Sequence, residues 1–368
     1  MANLKLLWNN LADAEDTVLT ASSEDSDYPA TNIQHRWKSL CWHSSGNIII
    51  DGNNKYIDYN EGGASSSVTL TEGTYTPADL ASHIQTVLDG DATATITAAY
   101  STTTFKYTIE SDGATFELEW KTGTHGSDNT DNHVGTTIGF DDSADDTGDT
   151  SYTSDNVAIH TSEWLKFDLG SALTVKTLVI VNHNIGTTGS TLKLQGHTSD
   201  AWAGPDVDES LTITEDKILH LDTTGWSKRW WRIYIEDTDN SSGYVRIGRV
   251  YLGSYFEFTN NYRKKTLVFI DPSDKKYSTG GQISTNPKNK YKVISYYFDM
   301  ITRTDKNSLL DVFDEVGTSE NYFIVEDHAD SDPEKFTYYC QNTSDWEFKT
   351  SQIGSGYFNL DINIETLR

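Results

Sequence analysis

Apolar and polar positions alternate along most of the chain, and the clearest alternation begins at Glu163. There EWLKFDLGSALTVKTLVIVNHN places Trp164, Phe167 and Leu169 before a turn at Gly170, then enters an unbroken apolar run at 178–181. Period-two alternation is the mark of a strand with one buried face, and an unbroken run is the mark of a strand covered on both. Further on, Trp231, Ile233 and Ile235 alternate with polar residues, a turn falls at 240–243, and Val245, Ile247, Val250 and Leu252 follow. Short strands parted by Gly, Asn and Asp turns predict a β-sandwich or jelly roll.

The texture changes at Asn47 and changes back near residue 157. Between these points Thr76 can cap a helix, Pro77 suits its first position, and Leu80, Ala81, Ile84, Val87 and Leu88 recur at helical spacing before Gly90. Alternation at 93–100, 105–109 and 116–120 adds a small antiparallel sheet. After Glu257, strands are predicted at 265–270 and 291–300, then a helix over 305–316 with Leu309, Leu310, Phe313 and Val316 on its apolar face and Gly317 at its end. Strands at 322–326, 336–341, 346–349 and 357–364 complete the chain. The predicted organisation is mainly β: residues 1–46 plus 158–256 form one sandwich, 47–157 an inserted acidic α+β domain, and 257–368 a C-terminal β-rich domain with one helix.

Composition sharpens this picture. Of the 368 residues, 10 are Trp and 20 Tyr against 6 Pro and 2 Met, so the apolar material is bulky, rigid and suited to sheets. The net charge is −27, and residues 47–157, with three basic against 19 acidic side chains, hold −16 of it. Such a surface repels phosphate backbones, which excludes nucleic acid and leaves divalent cations or proteins as partners. No apolar run reaches membrane-spanning length, so no membrane insertion is expected. The opening MANLKLLWNNLADAEDT lacks the pattern of a secretory signal, in keeping with synthesis in a cytoplasm. Cys41 and Cys340 lie far apart and read as reduced, buried thiols.

No phosphate loop, zinc-protease helix, nucleophile elbow or Cys–His pairing is present, so an enzyme is not expected. The loop DDSADDTGDTS offers Asp141, Asp142, Asp145, Asp146 and Asp149 as hard oxygen ligands beside Gly148, which would suit Ca²⁺; the competing reading is a solvated acidic loop. No other cofactor is implied. Glycan binding would use aromatic and amide side chains in loops at one end of a sandwich, and the candidates are Trp42, His43, Asn182, His183, Asn184 and Trp202. Trp37, Trp164 and Trp231 are assigned to the core, Trp42 is open to either role, and 182–184 suit a strand cap better than ligand contact.

Three motifs carry a resemblance. ASSEDSDYPATNIQHRWKSLCWHS at 21–44, W-x-x-F-D-L-G at 164–170, and R-I-Y-I-x-D at 232–237 with I-G-R-V-Y-L-G at 247–253 resemble the discoidin, or coagulation-factor C-type galactose-binding-like, fold over 17–46 and 158–256. The Y-P-A-x-N at 28–32 and the N-H-N at 182–184 are similar to versions in tailed-bacteriophage tail proteins. The closing L-x-I-x-I-E at 360–365 is similar to C-terminal domains of distal-tail and minor tail proteins, which resemble ring-forming tail-tube modules. The resemblance implies a non-enzymatic structural component of a phage tail tip or baseplate, located in the virion. Its partners would be copies of itself in a ring, other tail proteins, and a host-surface glycan or receptor. The alternative is a stand-alone carbohydrate-binding or adhesion protein; a glycan-active enzyme comes third.

Overall fold

In a computed structural model, the alternation that begins at Glu163 becomes one 21-residue strand, Glu163–His183. The structure describes residues 2–113, 115–350 and 356–367. The strand turns Leu165, Phe167 and Leu169 inward and Trp164, Lys166 and Asp168 outward. It runs antiparallel to Lys217–Glu236 along both halves, and register shifts at 168/173 and 175/177 interrupt the pairing, as bulges do where a strand bends. Val18–Ala21 flanks its first half and Arg246–Gly253 its second, so the long pair serves in both layers of a sandwich. Thr191–His197 and Val207–Ser210 extend one layer, and Trp42–His43 closes the other.

One apolar core lies between the layers. It combines Ala12, Ile33 and Trp42 with Leu165, Phe167, Leu178, Ile180, Trp231 and Ile247, side chains drawn from both sides of the insertion. Trp231 takes the core position assigned from the sequence. Trp37 does not: it is 57% exposed, on a loop before Trp42–His43. Trp164 is corrected too, because the period-two register gives the inward places to Glu163 and Leu165. Its half-buried ring lies on the outer face, 5.3 Å from the Lys166 ammonium.

The run at 178–181 is apolar because both its faces are covered. Leu178 and Ile180 point into the sandwich, whereas Val179 and Val181 pack with Leu7, Tyr251, Phe323, Val325 and Tyr339 against the C-terminal module. That module is built on an eight-stranded sheet, and here the 1–46 boundary is corrected at its start. Lys5–Leu7 sits between Phe256–Glu257 and Tyr322–Val325 in that sheet, not in the sandwich. Leu4 and Leu6 enter the core beneath the helix Arg303–Val316, and the buried Lys5 pairs with Glu257 at 2.7 Å. On the helix, Thr302 caps Asp305, and Leu309, Val312 and Val316 are buried; Leu310, expected inside, is 43% exposed because helical spacing gives its place to Val312.

The insertion has a separate core in which Trp120, Tyr107, Ile84 and Leu88 are fully buried. Its helix, Pro77–Asp91, is capped by Thr76 as the sequence implies, and the Tyr107 hydroxyl donates to Pro77 O at 2.9 Å. The two connections to the sandwich lie side by side: the Thr161 amide donates to Asn47 O at 2.8 Å, and His160 Nδ1 donates to Gly46 O at 2.8 Å. The fold class read from the sequence is the one found, a mainly β chain whose sandwich is interrupted by a small α+β insertion and followed by a β-rich module with one helix. Among the described residues, no helix is long and apolar enough to cross a membrane.

Candidate functional site

A cleft of about 650 Å³ opens where the insertion meets the sandwich. Its sandwich wall begins with a tight turn: the Tyr28 amide donates to Asp25 O, and Asp25 Oδ1 accepts from the Asp27 amide at 2.8 Å. Backbone bonds from His43 to Tyr28 O and from Asp25 to His43 O lace this turn to the strand Trp42–His43. Alternation on that two-residue strand sends Trp42 into the core and His43 outward. The imidazole is stacked on Tyr28 at 3.9 Å and on Tyr244 at 4.6 Å between centroids. Both faces of His43 are therefore covered, and only its edge and the outer face of Tyr28, which is 43% exposed, remain open to a ligand.

The opposite wall comes from the insertion, through Pro77, Tyr100 and Phe105. Phe105 ends the turn that starts at Ser101 and has φ +58, a conformation that a bulky side chain rarely adopts. Its ring meets Tyr244 edge-on at 6.0 Å. Gly243 makes this approach possible, since a Cβ there would lie 2.7 Å from the Phe105 ring. Non-glycine residues at positive φ persist only where surroundings hold them, and they gather at ligand clamps and active sites.

Among the described residues, the cleft carries two carboxylates and no Lys or Arg. Glu24 and Asp25 each use one oxygen in a local backbone bond, to Ala30 and Asp27, and keep the other free of hydrogen bonds among the described residues. Burial, aided by the nearby Arg246, holds the His43 ring below the usual imidazole range, so it is neutral near pH 7. Burial also pushes the Tyr100 hydroxyl up to about 12. Exposed aromatic faces beside carboxylate and serine oxygens suit a polyhydroxylated ring, which has apolar faces and a rim of hydrogen-bonding groups.

Of the residues proposed from the sequence for glycan contact, only His43 lines this cleft. Trp42 is fully buried, its indole N–H donating to Ser23 O at 3.0 Å. Asn182, at φ +58, donates to Lys38 O at 2.6 Å, and the buried His183 accepts from the Ile185 amide. Asn184 donates to Tyr244 O at 2.9 Å and accepts from the Arg246 amide at 2.6 Å, so it positions the cleft without entering it. Trp202 lies elsewhere on the sandwich, bonded to Asp200 with the Arg232 guanidinium 4.5 Å above its ring. The only sequence signal at Tyr28 is its place in the Y-P-A-x-N motif, and Phe105 and Tyr244 carry none for this role.

Among the described residues, the five carboxylates of the acidic loop do not converge into one ligand grouping. Asp145 accepts from the Lys121 and Thr122 amides and Asp146 from the Trp120 indole, which ties the loop to 120–122, while Asp141 accepts from the Ser143 amide and Asp149 from the Thr150 amide within the loop itself. Asp142 instead joins Asp131 and His133, the one three-ligand grouping among the described residues. His133 Nε2 lies 3.7 Å from each carboxylate. Its Nδ1, however, accepts from the Gly135 amide at 3.0 Å, which puts the ring proton on Nε2 and removes the lone pair a metal would use.

No family model and no curated protein matches the chain. Among solved structures, "CpGH89CBM32-6 produced by Clostridium perfringens" is 10% identical with a TM-score of 0.29, covering 68% of this chain and 99% of its own. The family 32 carbohydrate-binding module of Clostridium perfringens NanJ, in complex with galactose, is 8% identical with a TM-score of 0.29 and covers 69% and 99%. The tail of an empty GTA particle is 14% identical with a TM-score of 0.23 and covers 32% and 84%.

Proposed function

We propose that this chain is a non-enzymatic carbohydrate-binding protein whose sugar seat is the cleft between sandwich and insertion. The observation that carries this reading is the open face of Tyr28, held flat by the His43–Tyr244 stack beneath it and flanked by the free oxygens of Glu24 and Asp25. A pyranose stacked there would place its C–H face on the ring and its hydroxyls toward the carboxylates. With two acidic groups and no cation in the cleft, neutral and amino sugars are favoured over sialylated or sulfated ones. A glycan array probed with the full chain tests this. Retention on a defined set of neutral or amino glycans is expected; uniform absence of binding, or retention on acidic glycans alone, contradicts it.

Assembly as a tail-tip component, with copies of the chain in a ring beside other tail proteins, is the second reading. Its support is the uncovered edge strand Lys264–Ile270 of the C-terminal sheet. Particle association in tail fractions would test it.

A further inference from the structure

Charge and apolar exposure coincide on one projecting part of the molecule. Lys264–Ile270 is the outermost strand of the eight-stranded sheet and pairs along its length with Tyr291–Ile301. Leu267, Val268 and Phe269 are 38%, 45% and 69% exposed, so consecutive side chains on both faces meet solvent. The chain then continues into a hairpin, Asp274–Tyr277 with Ile283–Asn286, whose residues are all exposed, Tyr277 at 70% and Ile283 at 61%. Edge strands are normally blunted or covered, and an apolar one left open is a docking surface or a hazard.

The same arm is basic. Residues 263–292 hold eight Lys and Arg against two Asp, a balance of +6, so the rest of the chain carries −33. Asp274 and Asp271 are engaged within the arm by Lys288 and Lys290. Lys264, Lys275 and Lys276 have no ion-pair partner among the described residues, and none of the arm's ion pairs reaches the insertion. The insertion, at −16, is the most acidic part of the protein.

We propose that the arm docks on the insertion of a second copy of this chain, with Lys275 and Lys276 meeting carboxylates while Phe269, Tyr277 and Ile283 are covered. Each copy offers both halves of the contact, so it is head-to-tail and either closes a ring or propagates. This rests on the assembly reading, to which it gives a surface, and is independent of the sugar seat.

Zero-length carbodiimide coupling, which joins an ammonium only to a touching carboxylate, tests it on an equal mixture of unlabelled and isotope-labelled full-length chains. At about 0.1 M salt, mixed-isotope links from Lys275 or Lys276 to acids within 47–157 are expected. They should vanish at about 1 M, where the screening length falls from about 10 Å to about 3 Å. They should also vanish in K275E/K276E, which touches no core and stays folded by circular dichroism. Arm links confined to acids of 257–368, or association that persists in K275E/K276E, overturns the proposal. So does a chain that stays monomeric at about 0.1 M salt, or one that associates only when a polyanion such as heparin is added. A chain that stays monomeric defeats the assembly reading together with this inference, one that assembles through other contacts defeats this inference alone, and an assembling chain that binds no sugar defeats the cleft reading alone.

Discussion

Phe105, on the insertion, stands edge-on to Tyr244 of the sandwich, with centroids 6.0 Å apart and rings at 73°. This contact joins two independently cored units and forms the back of the aromatic cleft, so the Phe105 backbone strain is held where the cleft needs a wall. Replacing Phe105 by Ala removes the ring and leaves the left-handed backbone; Gly removes the ring and relieves the strain. The expected losses in urea unfolding are about 2 kcal/mol for Phe105→Ala and about 1 kcal/mol for Phe105→Gly. Gly costing more than Ala would mean that the backbone is unstrained.

A second contact, within the sandwich, ties its N-terminal segment to the strand Arg246–Gly253. Arg249, with 7% of its side chain exposed, donates to Asp13 Oδ1 and to Ile33 O from Nη1, and its Nη2 meets Asp13 Oδ2. Asp13→Asn leaves a buried guanidinium without its counter-charge and should cost about 3 kcal/mol by chemical denaturation. Asp13→Leu combined with Arg249→Met should cost less than Asp13→Asn alone, because no charge is left buried; equal or larger loss would contradict that reason.

Acid should loosen the fold through its histidines. Burial holds His43, His133, His160, His183, His220 and His328 below the ordinary imidazole value of 6.5. A lowered folded value means that the unfolded chain takes up protons first, so the stability these groups carry is complete above about pH 6.5 and is lost as pH falls from there toward their folded values. Glu163, whose carboxyl burial raises, works in the opposite direction as pH falls. The expected net result is a falling Tm between about pH 7 and pH 5.5, with a shallower slope in His160→Gln. An unchanged slope in that variant would show that His160 does not contribute.

Much of the fold was legible because local pattern decided it. The run at 178–181 announced a strand covered on both faces, and Thr76–Pro77 announced a helix start that the structure repeats. Partners were less legible. Three residues, Lys5–Leu7, cannot say which sheet they join, and the W-x-x-F-D-L-G motif does not fix that Trp164 faces out while Phe167 faces in. The cleft was least legible: its rings come from residues 28, 43, 105 and 244, brought together only by where the insertion leaves the sandwich. Of the adjacent pair offered from the sequence, Trp42, open to either role there, lies in the core, and His43 lines the cleft.

Because Asn47 and Thr161 are hydrogen-bonded neighbours, the insertion is expected to be removable. Replacing residues 48–158 with a short glycine linker should leave a cooperatively unfolding sandwich with its C-terminal module, since inserted domains join at closely spaced surface points. Binding of any glycan should then weaken, as Pro77, Tyr100 and Phe105 leave with the insertion. Aggregation at every tested junction would argue that the two cores are interdependent.

The cleft account is tested most directly by calorimetric titration of one array-selected glycan into wild type, Tyr28→Ala and Trp202→Ala. Tyr28→Ala should weaken affinity about tenfold or more, near 1.4 kcal/mol, while Trp202→Ala leaves it unchanged. Loss in Trp202→Ala with Tyr28→Ala binding as wild type would contradict the account and move the sugar to the other end of the sandwich loops.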